Sequence, residues 1–385
     1  MVQEESNSCA LVLTGGGARA AYQVGVLKAI AECYPRRQPI PFPILCGTSA
    51  GAINATAIAC YASCFQLGVR KLEYMWRQLR TENILQLQAG KAVQHSLKSL
   101  MLGAIGRPSQ MAQPLFDNSP LERLLETVID FQRIDNNLLY GALEVLAVTA
   151  SNYNTGDSTT FYQGRPYHQP WARAGRSGRP AIIATPHLMA SSALPFIFKP
   201  RRLQNHHFGD GSIHQLNPLS PAIHMGASRI VAISLAAEHC PDDLPSDPSS
   251  SDIAGHLLDT IFTDALTADI ERLERVNNTL KLIPERKHQQ AGLRPIDCLV
   301  LKPSKNLDDL THKHFENLPF NIRSLLRLFG VNAGDATGLA SFLLFEKEYC
   351  AELIDLGYQD TQARLPEIID FLKVSAIDKQ DAVDC

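Results

Sequence analysis

The chain has 385 residues, of which 45% are hydrophobic and 19% are charged. That composition predicts a globular protein with a large core, built as one large α/β domain with an appendage rather than as a string of small domains. A formal net charge of −3 gives no overall attraction to nucleic acid or to an anionic membrane, so no nucleic-acid partner is expected.

Neither a secretory signal nor a transmembrane segment is predicted. The first nine residues contain Glu4 and Glu5 and no basic stretch, and no apolar run approaches the roughly eighteen residues of a membrane span. Nine cysteines without regular spacing argue against a disulfide framework and for a reducing cytoplasm. Cys60 and Cys64 lack a second ligand pair, so buried, inert thiols are expected rather than a metal site.

The first motif is Gly15-Gly16-Gly17-Ala18-Arg19, which lies between a predicted strand, 9–13, and a predicted helix, 20–30. Consecutive glycines let the backbone approach a ligand and direct N–H groups at one point, as an oxyanion hole requires. The same residues also fit the dinucleotide fingerprint G-x-G-x-x-G/A. An acidic residue about twenty positions later should accompany that fingerprint. Glu32 is too early and falls in a helical pattern.

The second motif, Gly47-Thr48-Ser49-Ala50-Gly51, follows the apolar run 43–46 and precedes an apolar helical pattern at 52–61. Small residues on both sides of Ser49 permit a sharp turn from strand to helix. Such a turn exposes the hydroxyl at a helix N-terminus, where the dipole favours a developing anion. Ser49 is therefore a candidate nucleophile, although G-x-S-x-G also occurs by chance.

The third motif surrounds Asp210, in the run 207–212 ahead of a predicted strand at 229–235. An aspartate flanked by glycines in a loop can approach a serine hydroxyl directly and act as its general base. The alternative is an ordinary Asp-Gly turn.

In this order the three motifs resemble the signature blocks of the patatin-like phospholipases, and the small-residue and Pro-Phe run 189–200 resembles a further block of that family. The resemblance covers about residues 9–235. It implies a lipid acyl hydrolase with a Ser49–Asp210 dyad and no catalytic histidine, and an oxyanion loop formed by Gly15, Gly16, Gly17 and Arg19. Ala20 stands where the family usually has a fourth glycine, and Ser212 stands where it has Gly or Ala.

The resemblance also implies an α/β three-layer sandwich, with a central, mostly parallel sheet flanked by helices and a C-terminal helical extension. The implied substrates are carboxylic esters of phospholipids or lysophospholipids, with no cofactor and no metal. The expected location is the cytoplasm, with peripheral membrane contact as a further expectation.

The remaining elements fit an alternating α/β pattern. Ser119, Pro120 and Glu122 predict a capping box at the start of a helix, and the runs 143–150 and 158–162 predict a hairpin. The division predicted is a catalytic core at 9–240, a polar loop at 241–252, and a mainly helical region at 253–385. A helix at about 253–281 and one further strand for the core, 297–303, are predicted in that last region.

Two segments have the composition of membrane-contacting regions. Four arginines surround Trp171 in the segment 164–180, and the segment 319–329 mixes large apolar and basic residues. A solvated arginine loop and a helix docked on the core are the alternatives.

Other mechanisms and functions remain open at this point. His239, His256 or His288 could follow Asp210 in a Ser-His-Asp triad, and His206 and His207 lie beside Asp210 in the sequence. A catalytically silent protein that binds lipid or protein on the same fold, and a Rossmann-type oxidoreductase, are the alternative functions.

Overall fold

A computed structural model describes residues 8–36, 38–87, 115–195, 197–237, 260, 265–284, 287–328 and 339–372. The predicted polar loop at 241–252 lies outside these ranges, as do His239, His256, Phe329 and most of residues 253–264.

Ten of the described strands form one sheet, in the order β12-β11-β1-β2-β5-β6-β8-β7, with β10 and β9 joined to it through β5. The first five strands in this order are parallel, whereas β6 and β10 are antiparallel to β5. Strands β3 and β4 pair separately. The bounds are β1 Cys9–Leu13, β2 Ile44–Thr48, β3 Gln86–Leu87, β4 Phe116–Asp117, β5 Val145–Asn152, β6 Asp157–Gly164, β7 Trp171–Arg173, β8 Arg176–Pro180, β9 Arg201–Leu203, β10 His206–Gly209, β11 Arg229–Ile233 and β12 Asp297–Leu301.

Helices account for most of the remaining described chain. The α-helices are α1 Ala21–Glu32, α2 Ala50–Ala59, α3 Phe65–Gln78, α4 Ser119–Val128, α5 Gln132–Tyr140, α6 Thr185–Ser191, α7 Ser220–His224, α8 Ala265–Lys281, α9 His288–Ala291, α10 Leu307–His314, α11 Phe320–Leu328, α12 Leu339–Leu343, α13 Lys347–Ala363 and α14 Leu365–Leu372. Short 3₁₀ helices cover Gly17–Ala20, Thr81–Asn83, Gly211–Ile213 and Phe315–Asn317.

The sheet is covered on both faces, so the predicted three-layer α/β sandwich is confirmed. Side chains alternate between the two faces of a strand. In β1, Leu11 and Leu13 belong to the larger core with helices such as α1, α2, α3 and α13. Ala10 and Val12 belong to a smaller core with α7 and α8.

Two strands, β2 and β10, pair with the same edge of β5, one after the other along its length. The parallel strand β2 pairs with it as far as Thr48, opposite Thr149, and the antiparallel strand β10 pairs with it as far as Gly209, opposite Ser151. Both strands thus run toward Ala150 from opposite directions. The residues that follow them, Ser49 and Asp210, are consequently brought to the same place.

The C-terminal helices pack into the main core. Helix α13 lies against α1, and two glycines allow their backbones to approach. A Cβ atom at Gly25 would overlap the carbonyl oxygen of Ile354, and one at Gly357 would overlap that of Tyr22. The predicted helical extension is therefore helical and also forms part of the layer that covers the sheet.

The predicted capping box of α4 is wrong. Asn118 occupies the N-cap position and Ser119 already lies in the helix. The Ser119 hydroxyl instead donates to Asp117 Oδ1 at 2.6 Å, and the Ser119 backbone N–H donates to the same oxygen at 3.0 Å. Glu122 forms an ion pair with Arg201. The Ser119 hydroxyl therefore donates to Asp117 instead of accepting a backbone N–H from the first turn of the helix.

We expect Gly25→Ala to lower the melting temperature. Alanine normally stabilises a helix by about 1 kcal/mol relative to glycine. Here its methyl group would overlap the backbone of α13, and overpacking typically costs about 1 to 3 kcal/mol. Thermal unfolding of Gly25→Ala and of Gly357→Ala, on the facing helix, measures the effect. Melting temperatures at or above that of the wild type in both variants would contradict this account of the helix pair.

Candidate functional site

Ser49 occupies a strained turn between β2 and α2. Its φ and ψ are 55° and −129°, a region that residues with a side chain rarely adopt. The glycines of the motif make the turn sterically feasible. A Cβ atom at Gly47 would contact Ala52, and one at Gly51 would overlap the carbonyl oxygens of Leu13 and Thr14. Glycine at position 51 thus allows the N-terminus of α2 to lie directly against the end of β1.

Ser49 and Asp210 are in direct contact. The Ser49 hydroxyl donates to Asp210 Oδ2 at 2.5 Å, and the Ser212 backbone N–H donates to Asp210 Oδ1 at 3.0 Å. Burial raises the pKa of Asp210 to about 6, although the hydrogen bonds from Ser49 and Ser212 act in the opposite direction. The carboxylate is therefore a much better proton acceptor near neutral pH than an exposed aspartate.

The segment Ser191–Ala193 holds the backbone of both residues. The Ser49 backbone N–H donates to Ser191 Oγ at 2.8 Å, and the Ser191 hydroxyl donates to the carbonyl of Thr149 on β5 at 2.6 Å. The carbonyl oxygen of Ala193 accepts from the Asp210 backbone N–H at 2.8 Å. Sequence reasoning noticed this small-residue run but assigned no contacts to it.

The glycine loop lies beside Ser49. Gly17 and Ser49 line the same cavity, and Gly17 has a φ of 55° with its Cα packed against the carbonyl group of Phe342. Among the described residues, the backbone N–H groups of Gly15, Gly16 and Gly17 have no acceptor. Donors of this kind are available to a ligand.

Arg19 directs its guanidinium toward the C-terminal helices. Its Nε donates to the Ser341 hydroxyl at 2.7 Å, and one terminal nitrogen forms a 2.5 Å ion pair with Asp308. The guanidinium carbon lies 4.2 Å from the centre of the Phe342 ring. The side chain therefore fastens the glycine loop to α10 and α12.

Buried polar side chains connect the glycine loop to α2 and α3. The Gln23 amide donates to the Thr14 carbonyl at 2.8 Å, and Asn54 donates to Gln23 at 2.9 Å and to the Ala20 carbonyl at 3.1 Å. The Trp76 indole N–H donates to Asn54 Oδ1 at 2.8 Å. This network fixes the loop relative to the helix that begins after Ser49.

Ser49 opens into an apolar cavity. The empty space between its lining atoms, including the open mouth, is about 590 Å³. The only polar side chains among the lining residues, apart from the indole of Trp76, are those of Ser49 and Ser192. The lining comprises Gly17, Ser49, Ala50, Ile53, Met75, Trp76, Leu79, Ile84, Leu121, Leu124, Leu125, Ser192, Leu194, Phe198, Phe342, Leu343 and Phe345.

Sequence patterns did not predict several residues that line the cavity, nor one residue that lies next to Asp210. Phe342, Leu343 and Phe345 come from the C-terminal region, and no local pattern predicts that they meet a motif about 300 residues earlier.

Tyr153 was not predicted to lie near the site either. Its hydroxyl packs over Gly209, and burial together with the charge of Asp210 raises its pKa to about 12. Its position directly after β5 is the sequence feature that could have indicated that Tyr153 lies near the site.

The described histidines do not form hydrogen bonds with Asp210. His206 Nδ1 lies 3.3 Å from the Asn152 amide nitrogen, and His288 is bonded to the carbonyls of Leu280 and Ile283. Within the described ranges, no group of three or more His, Cys, Asp and Glu side chains could hold a metal ion.

Both segments with membrane-like composition contain residues that contact the rest of the protein. The Trp171 ring stacks on His224 with centroids 4.1 Å apart, and Arg176 donates to Ser220 and Asn217. In α11, Ile322, Leu325 and Leu326 are buried whereas Phe320 is exposed. No described helix is both long enough and apolar enough to cross a membrane.

Comparison with known proteins identifies the family. The family model described as patatin-like phospholipase matches residues 11–223, more than half of the chain. The chain belongs to the patatin-like phospholipase family.

Curated relatives match a short part of the chain. Patatin-like phospholipase domain-containing protein 7 from Rattus norvegicus is 44% identical over 68 residues, and the Mus musculus protein is 43% identical over 68 residues. These alignments cover 18% of this chain and 5% of each relative, so the chain corresponds to a small fraction of those proteins.

Solved structures that match this chain have low sequence identity to it. VipD from Legionella pneumophila is 12% identical with a TM-score of 0.38, over 94% of this chain and 67% of that one. Human GIVD cytosolic phospholipase A2, in complex with methyl gamma-linolenyl fluorophosphonate, is 13% identical with a TM-score of 0.46. That match covers 97% of this chain and 59% of the human chain.

The buried carboxyl group of this patatin-like chain predicts a specific pH dependence of stability. Because burial raises the pKa of Asp210 from 3.8 to about 6, the folded state binds this proton more tightly than the unfolded state. Its contribution to stability is complete below about pH 4 and is lost as the pH rises through about 6. Asp210→Asn removes the titrating group, so the variant should gain stability relative to the wild type at pH 8 and lose that gain near pH 4. Urea unfolding at both pH values measures this difference. A gain of equal size at pH 4 and pH 8 would contradict it.

Proposed function

We propose that this protein is a serine acyl hydrolase that cleaves carboxylic esters of phospholipids or lysophospholipids through a Ser49–Asp210 dyad. The observation that carries the proposal is the 2.5 Å hydrogen bond from the Ser49 hydroxyl to the buried Asp210 carboxylate. That bond lies at an apolar cavity lined by Ser49 itself. Membership of the patatin-like family supports lipid acyl hydrolysis in general.

In the first step, Ser49 Oγ attacks the ester carbonyl carbon while Asp210 accepts the hydroxyl proton. The alkoxide of the leaving group then takes that proton, and the acyl group stays on Ser49. In the second step, Asp210 takes a proton from a water molecule that attacks the acyl carbon. Asp210 then returns that proton to Ser49 Oγ as the bond between Oγ and the acyl carbon breaks, which releases the fatty acid and restores the serine. An Asp210 pKa of about 6 suits both directions of transfer near neutral pH.

We assign the role of oxyanion hole to the glycine loop. The N–H groups of Gly15, Gly16 and Gly17 have no acceptor among the described residues and can donate to the oxygen that becomes charged during attack. We assign Arg19 an indirect part in this hole. Its bonds to Ser341 and Asp308 hold the loop in place, and the guanidinium itself need not contact the substrate.

We assign to the cavity the role of binding the acyl chain of the substrate. Its lining is apolar apart from two hydroxyls and the already bonded indole of Trp76, so a hydrocarbon chain can bury its surface there without stranding a polar group. A polar headgroup would remain outside, at the mouth. This division of the substrate favours a lipid ester over a small polar ester.

A cytoplasmic location is part of the proposal. The seven described cysteines are free thiols, and burial raises the pKa of Cys46 and Cys60 to about 12. Thiols of this kind fit a reducing compartment.

The nucleophile is tested with Ser49→Ala. This variant should fold but lose nearly all hydrolysis of a p-nitrophenyl acyl ester and all labelling by a fluorophosphonate, because only an activated serine reacts with that probe. Asp210→Asn should lower turnover by at least about a hundredfold, the usual contribution of general base catalysis. His206→Ala and His207→Ala serve as controls and should remain active.

The competing functions give different results in the same assays. A wild-type protein that neither hydrolyses esters nor reacts with the fluorophosphonate would be the catalytically silent lipid or protein binder. A histidine variant that folds and is as inactive as Ser49→Ala would replace the dyad by a triad. Micromolar NAD or FAD binding by an inactive wild-type protein would favour the oxidoreductase.

The oxyanion hole is tested with Gly16→Ala. Gly16 has an extended φ of 165°, and an added Cβ would meet only the end of the Leu235 side chain, so the fold should tolerate the change. The altered loop should lose donor alignment, which typically costs about 3 kcal/mol of transition-state stabilisation per donor. Steady-state hydrolysis should then show a large fall in kcat and a small change in KM. A variant with wild-type kcat would remove Gly16 from the mechanism.

A further inference from the structure

The Ser192 hydroxyl is a buried donor without a partner. Ser192 is 8% exposed, and its Oγ forms no hydrogen bond among the described residues. Most buried polar side-chain atoms in proteins are paired, because an unpaired one costs free energy. Since Ser192 also lines the cavity that contains Ser49, its missing partner can be supplied by a ligand.

The neighbours of Ser192 place it at the reacting end of the cavity. Ser191 Oγ accepts a hydrogen bond from the backbone N–H of Ser49, and the Ala193 carbonyl accepts one from the backbone N–H of Asp210. Ser192 stands between these two contacts, and consecutive Cα atoms are only about 3.8 Å apart. A substrate whose ester lies at Ser49 therefore brings its polar atoms close to Ser192, while its hydrocarbon chain extends along the apolar lining.

The Ser192 side chain makes no hydrogen bond within the described part of the chain. The adjacent Ser191 makes both hydrogen bonds that connect this segment to Ser49 and to β5. Removing the Ser192 hydroxyl would therefore break no hydrogen bond among the described residues. Removing the Ser191 hydroxyl would take away its hydrogen bonds to the Ser49 N–H and to the Thr149 carbonyl.

We propose that the Ser192 hydroxyl donates a hydrogen bond to the ester carbonyl oxygen of the bound lipid, and so selects acyl esters over ether-linked lipids. The inference rests on the proposed function. A carbonyl oxygen has two lone pairs, so it can accept from the glycine loop and from Ser192 together. An ether-linked chain lacks this oxygen and would leave the Ser192 donor unpaired, which is how a buried polar group discriminates against such an analogue.

The test measures binding without turnover. In a Ser49→Ala background, calorimetry compares a short-chain monoacyl phosphocholine, below its micellar concentration, with its alkyl ether analogue of equal chain length. Adding Ser192→Ala should weaken binding of the acyl ligand about three- to tenfold, the usual range for one neutral hydrogen bond. Binding of the ether analogue should stay the same or tighten. Equal losses for both ligands, or no loss for the acyl ligand, would overturn the proposal.

Ser191→Ala and kinetics complete the design. In the otherwise wild-type chain, Ser192→Ala should keep or raise the melting temperature while lowering kcat/KM for an acyl ester. Ser191→Ala should lower the melting temperature, because two buried groups lose their partners. A fall in melting temperature as large for Ser192→Ala as for Ser191→Ala would make the Ser192 hydroxyl structural. If the wild type proves inactive, the calorimetric comparison still decides the role of Ser192, so the two proposals fail separately.

Discussion

The site depends on one edge of β5 being shared by two strands that meet end to end. Because β2 stops opposite Thr149 and β10 stops opposite Ser151, only Ala150 separates the positions at which Ser49 and Asp210 leave the sheet. The hydroxyl and the carboxylate are therefore positioned by the backbone hydrogen bonds of the sheet. Gly211 permits this approach, since a Cβ atom there would overlap the Thr149 carbonyl oxygen.

The same arrangement carries costs that the surrounding fold must offset. Ser49 adopts a backbone conformation that disfavours side chains, and Asp210 is fully buried without a cationic partner among its hydrogen bonds. Hydrogen bonds from Ser49 and Ser212 stabilise the charged carboxylate but do not cancel the effect of burial on its pKa. A buried serine–aspartate pair is thus less stable than an apolar core would be at the same position.

Local motifs predicted which residues meet at the site, because each motif has a local steric reason. Gly47 and Gly51 are needed where a strand turns sharply into a helix, and this need is visible in a five-residue window. The packing of the C-terminal region was not predictable in this way. The ion pair of Arg19 with Asp308 joins residues 289 positions apart, and neither helix periodicity nor composition encodes such a contact. Even the predicted capping box at Ser119 was wrong, because the N-cap is Asn118 and the Ser119 hydroxyl, already inside the helix, donates to Asp117.

Ser191 and Ser192 illustrate why residue type alone could not assign roles within the site. The two hydroxyls are adjacent, chemically identical and both buried. The Ser191 hydroxyl bonds to the backbone of the Ser49 turn and of β5, whereas Ser192 lines the cavity and its hydroxyl has no hydrogen-bond partner among the described residues. A buried hydroxyl of this kind can gain an acceptor from a bound ligand. The hydrogen bonds in the structure, rather than the sequence pattern, therefore distinguish Ser191, which supports the site, from Ser192, which we propose contacts the substrate.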